Sequence, residues 1–223
     1  MKENVDKYLD SLLNFDCNLN QLKQLGLSFG VPVVSDVGAG FLSTLVAMLK
    51  PKTILEIGSG VGYSGTILLQ SAPTARFVGV ELKQELTLIA QQTLSNFDAV
   101  VLHGDCRLIV PMLRAKNLTL DDNCSHCKQI QKTTLPFSYD FIFMDGPKSA
   151  CNQLLDCFVE LLNQGGVLVC DNVLFKGKVA NFEDKKPSTI VRNLREFLTK
   201  IHLSPLKSTV LPIGDGFSLT TKL

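Results

Sequence analysis

The chain has 223 residues, of which 45% are apolar and 19% charged, and 22 basic against 21 acidic side chains leave a formal charge of +1. Such a composition can bury a large core, which excludes a disordered tail, a collagen-like repeat and a disulfide-stapled mini-protein. It also provides no global basic field of the kind that attracts nucleic acid, although a local basic patch stays open.

The first twenty residues scatter charges among apolar positions, unlike a signal or transit peptide. No apolar run approaches the ~18 residues of a bilayer span, so a soluble, cytoplasmic protein without a membrane partner is expected. Residues 1–30 read as a helical segment, with Val5, Leu9, Leu12 and Leu13 on one stripe, Leu19, Leu22 and Leu25 extending it, and Gly26 and Gly30 interrupting it. Val31 to Val34 is extended around Pro32. Asp36 is placed to cap a helix that runs to about Leu49 and is ended by Pro51.

From Thr53 the rhythm changes. Short apolar stretches at TILEI, RFVGVEL, AVVLHG, YDFIFMD and GGVLVCDN alternate with helical ones at 63–70, 83–94, 106–113 and 150–162. Strands alternating with helices build a parallel sheet covered on both faces, an α/β fold. After a further helix at 190–201, the segment STVLPIGDGFSLTTKL reads as two strands around Gly-Asp-Gly, an antiparallel close to the sheet. Length fits a single domain over 1–223. The polar stretch 115–138 is long for an α/β connection and reads as an insertion loop. Seven cysteines, at 17, 106, 124, 127, 151, 157 and 170, are an odd number and suggest free thiols.

The turn after the first strand is Gly58-Ser-Gly60-Val-Gly62-Tyr-Ser-Gly65. Glycines there let the backbone approach a ligand closely. Read from Gly60, it matches G-x-G-x-x-G, which keeps an NAD(P)-dependent oxidoreductase open as the alternative; read from Gly58, the match fails. Charge discriminates better. Glu56 at the end of the first strand and Asp145 at the end of the fourth are poor company for a pyrophosphate. They suit a cation such as the sulfonium and ammonium of S-adenosylmethionine. Glu81, at the end of the second strand, is placed to accept hydrogen bonds from a ribose.

Glu56-Ile-Gly-Ser-Gly-Val-Gly-Tyr-Ser64 resembles motif I of the class I S-adenosylmethionine-dependent methyltransferases. Asp145-Gly-Pro-Lys148, Asp171-Asn172 with the following VLFKGKV, and the late LPIGDGFSL resemble the cation-dependent O-methyltransferases within that class. Those include catechol and caffeoyl-CoA O-methyltransferases and bacterial relatives that methylate 5-hydroxyuridine in tRNA. The resemblance runs from about Val31 to the C-terminus, outside the 115–138 loop. It implies a Rossmann-like, mainly parallel seven-stranded sheet with an antiparallel C-terminal strand, and a homodimer.

The resemblance also implies site residues. Asp145, Asp171 and Asn172 would hold a divalent cation, usually Mg2+, and oxygen ligands of this kind suit a hard cation. Lys148 matches the proposed general base. A cation and a sulfonium nearby would favour its neutral form. Val34, in a segment with Asp36, matches a contact to the methionine end. Tyr63 and Ser64 match residues near the amino-acid carboxylate, and Asp105 and Cys106 match adenine-side contacts. Gly58, Gly60, Glu56, Glu81 and Asp145 complete the cofactor set. The acceptor is then a catechol-like small molecule or a tRNA 5-hydroxyuridine, for which Lys176, Lys178, Lys185 and Lys186 could meet phosphates. Cys124-Ser-His-Cys127 offers too few ligands for a closed zinc site by itself and reads as a loop with incidental cysteines, the alternatives being a reversible disulfide or a zinc site completed from elsewhere.

Overall fold

The computed structural model describes residues 2–13, 15–114, 130, 134–203 and 205–223. The Cys124/Cys127 pair and most of the expected insertion loop lie outside these residues. One sheet of seven strands organises the rest: β1 (Thr53–Ile57), β2 (Arg76–Glu81), β3 (Ala99–His103), β4 (Tyr139–Met144), β5 (Leu162–Cys170), β6 (Leu206–Leu211) and β7 (Phe217–Lys222). Their spatial order is β3-β2-β1-β4-β5-β7-β6. The first five are parallel, and β7 runs antiparallel between β5 and β6.

Helices cover both faces. Before the sheet come α1 (Lys2–Leu12), α2 (Cys17–Ser28) and α3 (Asp36–Leu49). The crossovers and the last connection are α4 (Tyr63–Ser71), α5 (Gln84–Thr93), α6 (Cys106–Arg114), α7 (Ala150–Leu161) and α8 (Thr189–Ile201). The two-residue side-chain period of a strand divides the core. Leu55, Ile57, Val78, Ile142 and Met144 face α6, α7 and α8, and Ile54, Phe77, Phe141 and Phe143 face α3, α4 and α5. Glu56 shares a face with Ile54 by the same alternation, and this directs its carboxylate under α4.

The helical segment 1–30 consists of two helices, because the Asp16 carboxylate accepts the Leu19 N–H at 2.7 Å and starts α2 afresh. Two details of the N-terminal reading need correction. Gly26 does not interrupt the helix. It lies inside α2, where a Cβ would come within 2.8 Å of Val33, so it serves close packing. The cap of α3 is Ser35, whose hydroxyl accepts the Gly38 N–H, while Asp36 is the first helical residue and pairs with Lys23 at 2.6 Å.

Strand β5 also starts earlier than its apolar run suggests, at Leu162. A register shift between Tyr139 and Phe141 and the positive φ of Gly165 let it enter the sheet through Asn-Gln-Gly-Gly. No helix among the described residues is long and apolar enough to cross a membrane.

Candidate active site

The strand order reverses between β1 and β4, where open α/β sheets form a crevice beyond their carboxyl ends. A cavity of about 380 Å³ lies there. The turn after β1 forms its floor. Gly58 (φ +92°), Gly60 (φ +53°) and Gly62 (φ +87°) all take left-handed conformations that side chains resist. Gly58 also donates its N–H to the Val80 carbonyl at 2.8 Å, which ties the turn to β2.

Most of the expected residues meet at this cavity. Gly58, Gly60, Glu81, Asp105, Cys106, Asp145, Lys148 and Asn172 all line it. Glu81 holds its shape from below, since its carboxylate accepts the N–H groups of Gly60 and Lys83, both at 2.9 Å. Each oxygen keeps a second lone pair for a ligand hydroxyl. Asp105 accepts the Arg107 backbone N–H and pairs with its guanidinium, which holds the carboxyl below its ordinary range. Burial, followed by the neighbouring Asp105, pushes the Cys106 thiol up to about 11, so it stays protonated.

Five expected residues stand back from the cavity wall. Val34 is buried against Gly38. Tyr63 and Ser64 are buried in the first turn of α4, and burial with Asp36 nearby pushes the Tyr63 hydroxyl up to about 12. Glu56 is wholly buried beneath that turn. Desolvation raises its pKa to about 7; the nearby Ser64 and Ser59 hydroxyls oppose the shift, but neither makes a well-aligned hydrogen bond to its oxygens. Asp171 is 4% exposed, directly behind Asn172.

At the β4 and β5 ends, Lys148 Nζ lies 3.1 Å from Asp145 Oδ1, and both are mostly buried. Burial pushes the Asp145 carboxyl up despite the lysine. Burial combined with the Asp145 charge raises Asp171 to about 7. Burial alone would lower Lys148, but the charges of Asp145, Cys151 and Asp171 outweigh it and hold the ammonium charged.

Two buried carboxyl groups share one ammonium, and burial resists their both being ionised. Among the described residues, no three His, Cys, Asp or Glu side chains gather as a metal site. The assembled donors are instead two carboxylates and the Asn172 amide, an oxygen set that suits a hard cation. Asn172 is held in the left-handed region (φ +55°) with its N–H donated to Asp171 Oδ1 at 2.6 Å, the kind of local strain found where geometry serves a site.

Sequence reading missed Arg107. It lines the cavity and joins its two sides, pairing with Asp105 after β3 and donating to the Ser149 hydroxyl after β4 at 2.8 Å. No motif announces it, because the partner is 42 residues away.

A glycine turn at the switch point, an acidic residue closing the second strand and an antiparallel seventh strand define the architecture of class I methyltransferases. Residues 18–223 match the O-methyltransferase family, and the chain belongs to it. Caffeoyl-CoA O-methyltransferase 2 of Petunia hybrida is 25% identical over 189 residues, covering 82% of this chain and 73% of its own. The O-methyltransferase of Bacillus cereus, solved with S-adenosylhomocysteine, superposes with a TM-score of 0.79 at 25% identity, covering 99% of this chain and 97% of its own. The O-methyltransferase TomG of Streptomyces achromogenes, solved with S-adenosylmethionine, gives 0.79 at 25%, covering 98% and 96%. The oxidoreductase alternative is not favoured.

Proposed function

We propose that the protein transfers a methyl group from S-adenosylmethionine to a hydroxyl that chelates a divalent cation, Mg2+ in the simplest case, held by Asp145, Asp171 and Asn172. The observation that carries this reading is an oxygen donor set, Asp145 and Asn172 on the wall and Asp171 directly behind, beside a cavity floored by the glycine turn. The cation, when bound, supplies positive charge that lowers the pKa of a phenolic or enolic hydroxyl from about 10.

The chain's own residues do the rest. Gly58 and Gly60 admit the donor, and Glu81 is available to its ribose. Lys148 Nζ is the group beside the reacting oxygen that can take its proton once it is itself neutral. The hydroxyl oxygen then forms a bond to the methyl carbon as the carbon–sulfur bond breaks, and S-adenosylhomocysteine leaves. Alignment of oxygen, carbon and sulfur in the cavity is the main contribution to rate. A cytoplasmic homodimer belongs to the same reading. The exposed apolar side chains Val5, Tyr8, Leu9 and Leu12 of α1 offer it a surface, and sedimentation tests it.

The acceptor is a small molecule with adjacent oxygens, as in a catechol, or a tRNA 5-hydroxyuridine, whose C4 carbonyl lies beside its hydroxyl. One observation favours the RNA reading. Past Asn172, the exposed Lys176, Lys178, Lys185 and Lys186 flank in sequence Phe182, which is 80% exposed beneath the Arg195 guanidinium at 4.8 Å. Lysines that meet phosphates beside an exposed ring that can stack form a single-strand platform. Transfer of labelled methyl to bulk tRNA lacking the wobble methoxy group, and to a panel of catechols, with Mg2+ and with chelator, decides between them. Label that appears only in tRNA, and only with metal, is expected from the RNA reading; label in a catechol alone overturns it. Equal label with chelator overturns cation dependence.

A further inference from the structure

The late Pro212-Ile-Gly-Asp-Gly216 turn has no role in the chemistry described so far. It connects β6 to β7 and lies against the loop that follows the expected cation ligands. Its contacts there are numerous. The Asp215 carboxylate accepts the Lys176 N–H, and its carbonyl accepts the Leu174 N–H at 3.0 Å. The Gly216 carbonyl accepts the Val173 N–H, also at 3.0 Å. Gly216 (φ +90°) has no room for a side chain, since a Cβ would come within 2.4 Å of Leu174.

That pinned loop is costly to hold. Asn172 (φ +55°), Phe175 (φ +48°) and Lys176 (φ +55°) all lie in the left-handed region without being glycine. Each such residue persists only where its surroundings over-determine it. The Asp215 side chain takes the N–H of the last of these three, and its charge bears on Asp171. It therefore does two things at once: it fixes the loop that begins at Asn172, and it adds a third carboxylate near Asp171, behind the cavity wall.

We propose that Asp215 is a positioning residue of the cation site, holding the Asn172 loop in its ligating shape through the Lys176 amide and strengthening cation binding through its charge. It does not touch the cation. Partners of this outer kind commonly change metal affinity by one to two powers of ten. The inference rests on the cation reading above.

Titration with Mn2+, followed by its electron paramagnetic resonance signal, tests it without any turnover. Asp215→Asn keeps an acceptor for the Lys176 N–H and loses the charge, whereas Asp215→Ala loses both. The expected result is Mn2+ affinity several-fold weaker in Asp215→Asn and on the order of tenfold or more weaker in Asp215→Ala. S-adenosylhomocysteine affinity should stay within about twofold in both, because Asp215 is not among the residues lining the donor cavity. Wild-type affinity for Mn2+ in a folded Asp215→Ala protein overturns the role. If that variant does not fold, unchanged affinity in Asp215→Asn overturns the charge contribution. Wild-type protein that binds no Mn2+ overturns the cation reading itself, and the role of Asp215 with it.

Discussion

Gly58 sits so close to Asp145 that a Cβ on it would stand 2.8 Å from the Asp145 carbonyl oxygen. The donor turn and the first expected cation ligand are thus in backbone contact. Space made at one is taken from the other.

Gly58→Ala should therefore do more than strain a turn. The left-handed backbone alone costs about 1–3 kcal/mol, and the clash is with backbone that cannot rotate away. Affinity for S-adenosylhomocysteine should fall by roughly tenfold or more, the equivalent of about 1.4 kcal/mol. Gly165→Ala is the control, since Gly165 (φ +75°) has a similar conformation with nothing within 4 Å. Calorimetric titration of both variants checks this, and equal affinities in the two would contradict it.

The buried Glu56 makes a prediction about pH. Its carboxyl titrates at about 7 in the folded protein against 4.5 as the ordinary value, so the folded state binds the proton more tightly. Stability from this group is complete below about 4.5 and is lost as pH rises through 7. The full difference is about 3 kcal/mol. Glu56→Gln, which is neutral at every pH, should be more stable than wild type at pH 8, with the gap closing toward pH 4.5. Denaturant midpoints across that range measure it, and parallel curves for the two proteins would rule the assignment out.

Among the described residues, Lys148 is the ammonium paired with Asp145 in the carboxylate cluster. Lys148→Met should lower single-turnover methyl transfer by about 10²–10⁴-fold, the usual span for a general base. Donor binding should survive, because the glycine turn and Glu81 are untouched. Methyl transfer within threefold of wild type would remove Lys148 from the chemistry.

The strands and the outline of the site were readable because their signals are local. TILEI, RFVGVE and YDFIFM are apolar runs long enough for buried parallel strands, and the residues at their carboxyl ends are the ones that line the cavity. What escaped depends on contacts between distant segments or on side-chain direction. Arg107 acquires its place only when Ser149 arrives from another loop. Glu56 ends a strand at the site yet points beneath α4, since alternation gives it the face of Ile54. Ser35 caps α3 while its neighbour Asp36 pairs with Lys23 of α2, a partner that a local reading does not show.

The position of β7 has a consequence for biosynthesis. Asp171 and Asn172 follow β5 directly, and β5 is flanked by β4 on one side and by β7 on the other. On a ribosome, every described helix and the other six described strands emerge before β7 does. Until then β5 presents an open edge of unpaired backbone, the template for association with other chains. The same late segment brings Asp215 to the loop it pins. A nascent chain can thus form the glycine-turn crevice early, while the loop that begins at Asn172 is pinned only when translation has passed residue 222.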